Sequence, residues 1–265
     1  MSNFHVIAGA GETPAYPIVR KISVEDLKCA LVKGFHDFMA MPSSLAFLCL
    51  IYPIIGIVLA GNTVQLLFPV MSGFALVGPF AAIGLYEVSR RREQGLETSW
   101  KTVFDVRHSP SIPAILALGV LLLAIFVAWR LSAEAIYTSL FGAVPPDSIG
   151  DFFTEVLTTS QGWTLILLGN FVGFLFAVAV LSISVVSFPL LLDRDVGLAA
   201  AVLTSLRAVI ANPVTMAIWG IIIAVTLGLG FLAFFAGLAV AIPVLAHATW
   251  HLYRKLVEPA APGEI

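Results

Sequence analysis

Apolar runs long enough to cross a bilayer alternate along this chain with short polar stretches. Crossing about 30 Å of hydrocarbon takes about 20 helical residues, and the backbone must satisfy its own hydrogen bonds there, so such runs predict helices. Six are read: Ser44–Ala60, Leu66–Glu87, Ile112–Leu131, Trp163–Leu192, Val214–Gly230 and Phe231–Tyr253. The first is short and the fourth long, which implies tilt or extension beyond the bilayer. Pro213 to Ala246 carries no charged residue, so the turn between the last two spans is placed near "GLGFLAFFAG", Gly228–Gly237.

A second pattern precedes three of these spans. Ser23 followed by Asp26 has the spacing of a capping box, and Val24, Leu27, Leu31, Phe35 and Phe38 then recur at three- and four-residue steps. Glu25, Lys28, Lys33 and Asp37 fall mostly on other faces. Trp100, Val103, Phe104 and Arg107 form a shorter version before the third span. Val202, Leu206, Val209 and Ile210, with Arg207 off the stripe, form one before the fifth. Such a helix can lie at the headgroup boundary with its stripe inward and its cations near anionic lipid. A proline marks each corner, at Pro42, at Pro110 or Pro113, and at Pro213, where its missing N–H suits the first turn of a new helix.

The closing spans also match. Pro79, Pro189 and Pro243 each precede a polar exit: Glu87 eight residues on, Asp193 four on, His247 and His251 four and eight on. The expected fold is therefore all-α, a polytopic membrane bundle of six transmembrane helices arranged as three hairpins, each preceded by an amphipathic interfacial helix. Repeat one covers 23–88, repeat two 98–192 with an outer loop over 132–162, and repeat three 196–255, all within a membrane domain of 23–257. Residues 1–22 are expected to be a disordered tail and 258–265 a short one. No cleavable signal is read, because the first long apolar run starts near Leu45. Small residues at Gly169 and Gly173, and at Ala233, Gly237 and Ala241, are expected to let helices approach closely.

Composition agrees with the pattern. Of 265 residues 59% are hydrophobic and 11% charged, with a mean hydropathy of +0.99. Soluble domains carry about 25% charged residues, so a bilayer must solvate much of this chain. Of its 14 lysines and arginines, all but Arg130 precede span one, follow span six, or lie between spans two and three or four and five. The opposite loop holds Glu134, Asp147, Asp151 and Glu155. The positive-inside rule then places both termini in the cytoplasm, which needs an even number of spans. A net charge of -2 and the lack of a basic stripe argue against nucleic acid as a partner. Cys29 and Cys49 are not spaced as a CxxC pair and are expected to lie too far apart for a disulfide.

Candidate chemistry is sparse. His247 and His251 stand four apart in "HATWHLYRKL", a metal-ligand spacing, but Ala248 occupies the position that a metalloprotease gives to glutamate. They read either as metal or haem ligands or as interfacial groups beside Trp250 and Tyr253. His36 and His108 read as polar residues at membrane corners. If the three hairpins surround a pseudo-threefold axis, Glu87, Asp193 and His247 converge in a polar cluster at the cytoplasmic end; otherwise they are helix ends reaching water. Asn170, Ser182, Ser184 and Ser187 either line a polar path or bond to neighbouring helices. Phosphate-binding and serine-hydrolase signatures are missing from the sequence, so no catalytic residue and no cofactor is expected.

The segment "GPFAAIGLYEVSRRREQG", which runs from Pro79 through Tyr86 and Glu87 to Arg90–Arg92, resembles the bacterial integral-membrane family known as domain of unknown function 2189. "SVVSFPLLLDRDVGLAAAV" and the Asn-Pro that follows are similar to it as well. The resemblance, taken over about Val24 to Lys255, implies membrane location and fold without an activity. Proteins of this kind are sometimes labelled oxidase subunits, which the scarcity of histidines inside spans does not support. The expected function is a non-enzymatic accessory subunit or assembly factor of a larger membrane complex, with the bilayer and other membrane subunits as partners. The alternatives are a small-solute transporter or channel and, more weakly, a haem- or metal-binding protein.

Overall fold

The computed structural model describes residues 17–43, 66, 69–70, 82–99, 102–144, 146, 148–233 and 235–259. The span read at Ser44–Ala60, most of Leu66–Glu87, Pro79, Cys49 and Trp100 lie outside the described residues. The described elements are α1 (Val24–Ala40), α2 (Ile83–Glu93), a 3-10 helix (Thr102–His108), α3 (Ile112–Phe141), α4 (Ile149–Thr158), α5 (Ser160–Ser184), α6 (Ser187–Asp193), α7 (Gly197–Ala211), α8 (Pro213–Leu232) and α9 (Leu238–Leu256). No strand occurs among them beyond one antiparallel bridge between Val19 and Val257. Among the described residues, three helical stretches are long and apolar enough to cross a membrane: Ile112–Phe141, Ser160–Asp193 and Pro213–Leu232.

Local chemistry accounts for several boundaries. Ser23 caps α1, its hydroxyl accepting from the Asp26 amide while the Asp26 carboxylate accepts from the Ser23 amide. Pro42 ends the helix by forcing Met41 out of helical geometry, to φ -138 and ψ 77. Between α5 and α6 the chain breaks at Val185–Val186. Pro189 lies four residues beyond Val185 and offers no N–H to its carbonyl. At the same break the Val186 amide donates to Ser205 Oγ at 3.2 Å. Asn212 stands between α7 and α8, and Pro213 opens α8. The Asn212 side chain accepts from the Ile22 amide and donates to the Arg20 carbonyl, which ties residues ahead of α1 to this corner.

The segment read as an outer loop is largely helical. α3 runs to Phe141, ten residues past the span read from sequence, and α4 follows. Ser132, Thr138 and Ser139 turn their hydroxyls back onto carbonyls three or four residues earlier, and Arg130 pairs with Glu134 at 3.2 Å, so the polar residues cost the helix little. Gly142, at φ 83, ends it. Before the third span a 3-10 helix takes the place of the expected amphipathic α-helix.

Contacts divide the chain into two compact units, one of Met1–Ile51, Gly78–Val120 and Leu181–Ile265, the other of Tyr52–Val77 and Leu121–Val180. In the second, Trp129 is the anchor. Its indole N–H donates to the Pro69 carbonyl at 2.8 Å and its ring lies 5.7 Å from Phe176, over Gly173. Gly169, the other half of the small-residue pair, faces open space.

In the first unit α9 is the hub, packing along α1 and against α2, α6 and α8. Leu27, Ala30, Gly34, Asp37 and Phe38 form the buried face of α1, while Val24, Val32, Phe35 and Met39 stay exposed. The stripe expected to face lipid is thus split, since Leu27 and Phe38 are buried. Trp250 and Tyr253, read as headgroup anchors, are core residues at 0% and 1% exposure. Gly230 and Gly237 let α8 and α9 meet, since a Cβ on Gly237 would lie 2.7 Å from the Gly230 Cα. Gly34 is tighter still: its Cβ would sit 2.4 Å from the Ala248 amide nitrogen. Gly34→Ala is therefore expected to destabilise the fold by about 1–3 kcal/mol, whereas Gly169→Ala stays within about 0.5 kcal/mol or gains slightly. Thermal unfolding of the detergent-solubilised variants checks the contrast; equal midpoints would remove the α1–α9 contact from this account.

Candidate functional site: a charged junction of three helices

Placing Gly34 against the backbone of α9 carries the next polar residue on that face, Asp37, inside with it. Asp37 is 6% exposed. A buried carboxylate needs compensation from several donors, and three converge here. Arg92 Nε of α2 donates to Oδ1 at 2.8 Å, Ser89 Oγ of α2 to Oδ2 at 2.6 Å, and His251 Nε2 of α9 meets Oδ2 at 2.8 Å. Burial pushes the Asp37 carboxyl up, but the bonds from His251, Ser89 and Arg92 outweigh it and hold the group at about 2, below its ordinary 3.8.

Ser89 carries the junction one step further. Its oxygen lies 2.8 Å from His247 Nδ1, and both residues are fully buried. Since the single hydroxyl proton goes to the ionised Asp37, the Ser89 lone pair accepts the N–H of His247 Nδ1. The order is Asp–Ser–His. A nucleophilic serine needs its proton directed to a histidine that the carboxylate orients, which is Asp–His–Ser. This arrangement instead commits the proton to the carboxylate, so it joins helices and does not activate an attacking oxygen.

A second group of pairs surrounds the first. Glu87, 2% exposed, takes Arg90 in a two-pronged contact at 2.7 and 2.9 Å and Arg91 at 2.8 Å. Arg91 reaches on to Asp105 at 2.8 Å. Glu93 accepts from the Trp250 indole at 3.1 Å and pairs with Arg254 at the same distance. Arg254 also meets Asp193, which takes the Tyr253 hydroxyl at 2.6 Å.

The three residues expected to converge thus have separate partners. Glu87 is held by arginines of its own helix, Asp193 by α9, and His247 by Ser89. His247 and His251 are also engaged separately, on Ser89 and Asp37, and no group of three or more metal-ligating side chains is found among the described residues. Asp37, Ser89 and Glu93 were not singled out from sequence. The available signal was Ala30 and Gly34, small residues that mark a close-packed face on which Asp37 is the next position.

Between α1, α2 and α9 an open groove of about 430 Å³ is lined by Val32, Lys33, His36, Asp37, Arg92, Glu93 and His251. Asp37→Asn is expected to cost about 2–3 kcal/mol at neutral pH, the range of a hydrogen bond to a charged group. Because the folded-state value lies below the ordinary one, this contribution is complete above about pH 4 and fades as pH falls toward 2. Unfolding of wild type and variant across pH 2–7 checks the sign: a gap that widened on acidification would contradict the assignment.

No curated protein and no solved structure matches the chain. Residues 67–193, which take in α2, α3, α4, α5 and α6, match the family model described as a predicted integral membrane protein, DUF2189.

Proposed function

We propose that this chain is a non-enzymatic accessory or assembly subunit of a larger complex in the bacterial cytoplasmic membrane. The reading includes six spans in three hairpins, both termini in the cytoplasm, and lipid and other membrane subunits as partners. One contrast carries it. The buried charged groups of the junction are closed on one another, whereas the long apolar helices leave their flanks uncovered.

α8 is the clearest case. Only 22% of its most apolar stretch is buried. Met216 and Trp219 face the core, while Val214, Ile221, Val225 and Leu232 are exposed at seven-, four- and seven-residue steps. These exposed positions recur on one side of the helix. α3 exposes Leu116, Val120, Leu123, Val127 and Leu131 in the same manner. Rows of branched side chains at three- and four-residue steps suit either acyl chains or a facing helix.

The transporter alternative rests on a polar path lined by Ser182, Ser184, Ser187 and Asn170. The Asn170 side chain is exposed and donates to the Ile166 carbonyl of its own helix at 2.7 Å, which lends the alternative no support.

Native mass spectrometry of protein gently extracted from its own membrane tests the reading. A defined heteromeric mass is expected. A bare monomer or homo-oligomer under conditions that preserve known complexes would overturn it and shift the case to transport.

A further inference from the structure

The groove between α1, α2 and α9 has more cationic donors than its own carboxylates use. Asp37 is saturated by Arg92, Ser89 and His251, and Glu93 by Trp250 and Arg254. Arg92 reaches Asp37 through Nε, and its two terminal nitrogens make no hydrogen bond among the described residues. Lys33 and His36, both exposed on α1, have no polar partner there either. The pocket therefore presents an ammonium, a guanidinium edge and imidazole nitrogen toward one open space. A phosphate matches that donor set, and guanidinium suits its oxygens in particular.

The surroundings narrow the class of phosphate. Val32 lines the groove itself, and Val24, Phe35 and Met39 continue the same exposed apolar row along α1, at 50–58% exposure. A soluble anion would leave that row facing water. An amphiphile with a phosphate head would satisfy both surfaces at once.

We propose that this groove is a binding site for the headgroup phosphate of an anionic phospholipid, held by Lys33, His36 and Arg92, with its acyl chains along Val32, Phe35 and Met39. The site is independent of the accessory-subunit reading, since a transporter could carry it equally well.

The test uses the purified full chain in neutral detergent with equal amounts of phosphatidylglycerol and phosphatidylcholine, and counts retained lipid by native mass spectrometry. Phosphatidylglycerol is expected to be retained in preference. Lys33→Gln should lower its retention about fivefold, the effect of one cation near a membrane phosphate, and His36→Gln should lower it further in combination. Both side chains are exposed, so neither change touches the buried junction. Lys28→Gln alters a cation on the same helix that is paired with Glu25 at 3.5 Å and does not line the groove. Its effect should stay below about twofold. Equal losses in Lys28→Gln and Lys33→Gln would mean diffuse attraction and overturn the site. So would unchanged retention in the Lys33→Gln/His36→Gln double variant. Complete displacement of lipid by millimolar inorganic phosphate would mark a small-anion site and overturn the lipid assignment.

Discussion

The close approach of α1 to α9 sets the terms for everything around it. With no side chain at Gly34, the two backbones meet at a distance that any Cβ would obstruct. Asp37 follows three residues later on the buried face and cannot reach bulk water without turning the helix. An uncompensated carboxylate there would cost several kcal/mol. Its partners must therefore come from whatever packs beside it. α2 supplies Ser89 and Arg92, and α9 supplies His251. One backbone contact thereby fixes the rotation of three helices, because each must present a particular residue to one carboxylate.

The same constraint explains why the junction reads as structure. Asp37, Glu87, Glu93 and Asp193 are each bound by at least two donors, and Ser89, whose residue type invites a catalytic reading, has its proton committed to Asp37. A site built for chemistry leaves a reactive group poised and its partner free to exchange protons. Here the paired carboxylates give orientation. The groove departs from that pattern on its cationic side alone, where Lys33 and the terminal nitrogens of Arg92 exceed what the carboxylates use.

Local rules made parts of this legible in advance. The Ser23–Asp26 box predicted the start of α1, Asn212–Pro213 the corner between α7 and α8, and the glycine-rich stretch the turn before α9. Each depends on chemistry within a few residues. The misreadings have a common origin in tertiary context. Asp37 finds Ser89 across 52 positions and His251 across 214, and no periodicity in α1 reveals either. Trp250 and Tyr253 have the sequence profile of headgroup anchors, yet their rings pack 5.4 Å apart in the core and their polar atoms are used by Glu93 and Asp193. Ser132–Gly162 looked like a loop because it is polar, although hydroxyls that bond back to their own helix make such a segment compatible with α-structure.

α9 shows how an apolar helix can specify a unique fold. Dispersion and apolar burial favour close packing but discriminate poorly among helix rotations. Discrimination comes from directional groups, and α9 places them densely: His247, Trp250, His251, Tyr253, Arg254 and Lys255 each bond to another element. Arg254 is shared by Glu93 of α2 and Asp193 of α6, so rotating α9 by one residue would break both contacts together. Pro243 sits earlier in the same helix, between this charged segment and the apolar turns. Segregating the two kinds of surface along one helix lets the charged end determine the fold, and it leaves the apolar flanks of the neighbouring helices free of that task and open to lipid or a partner.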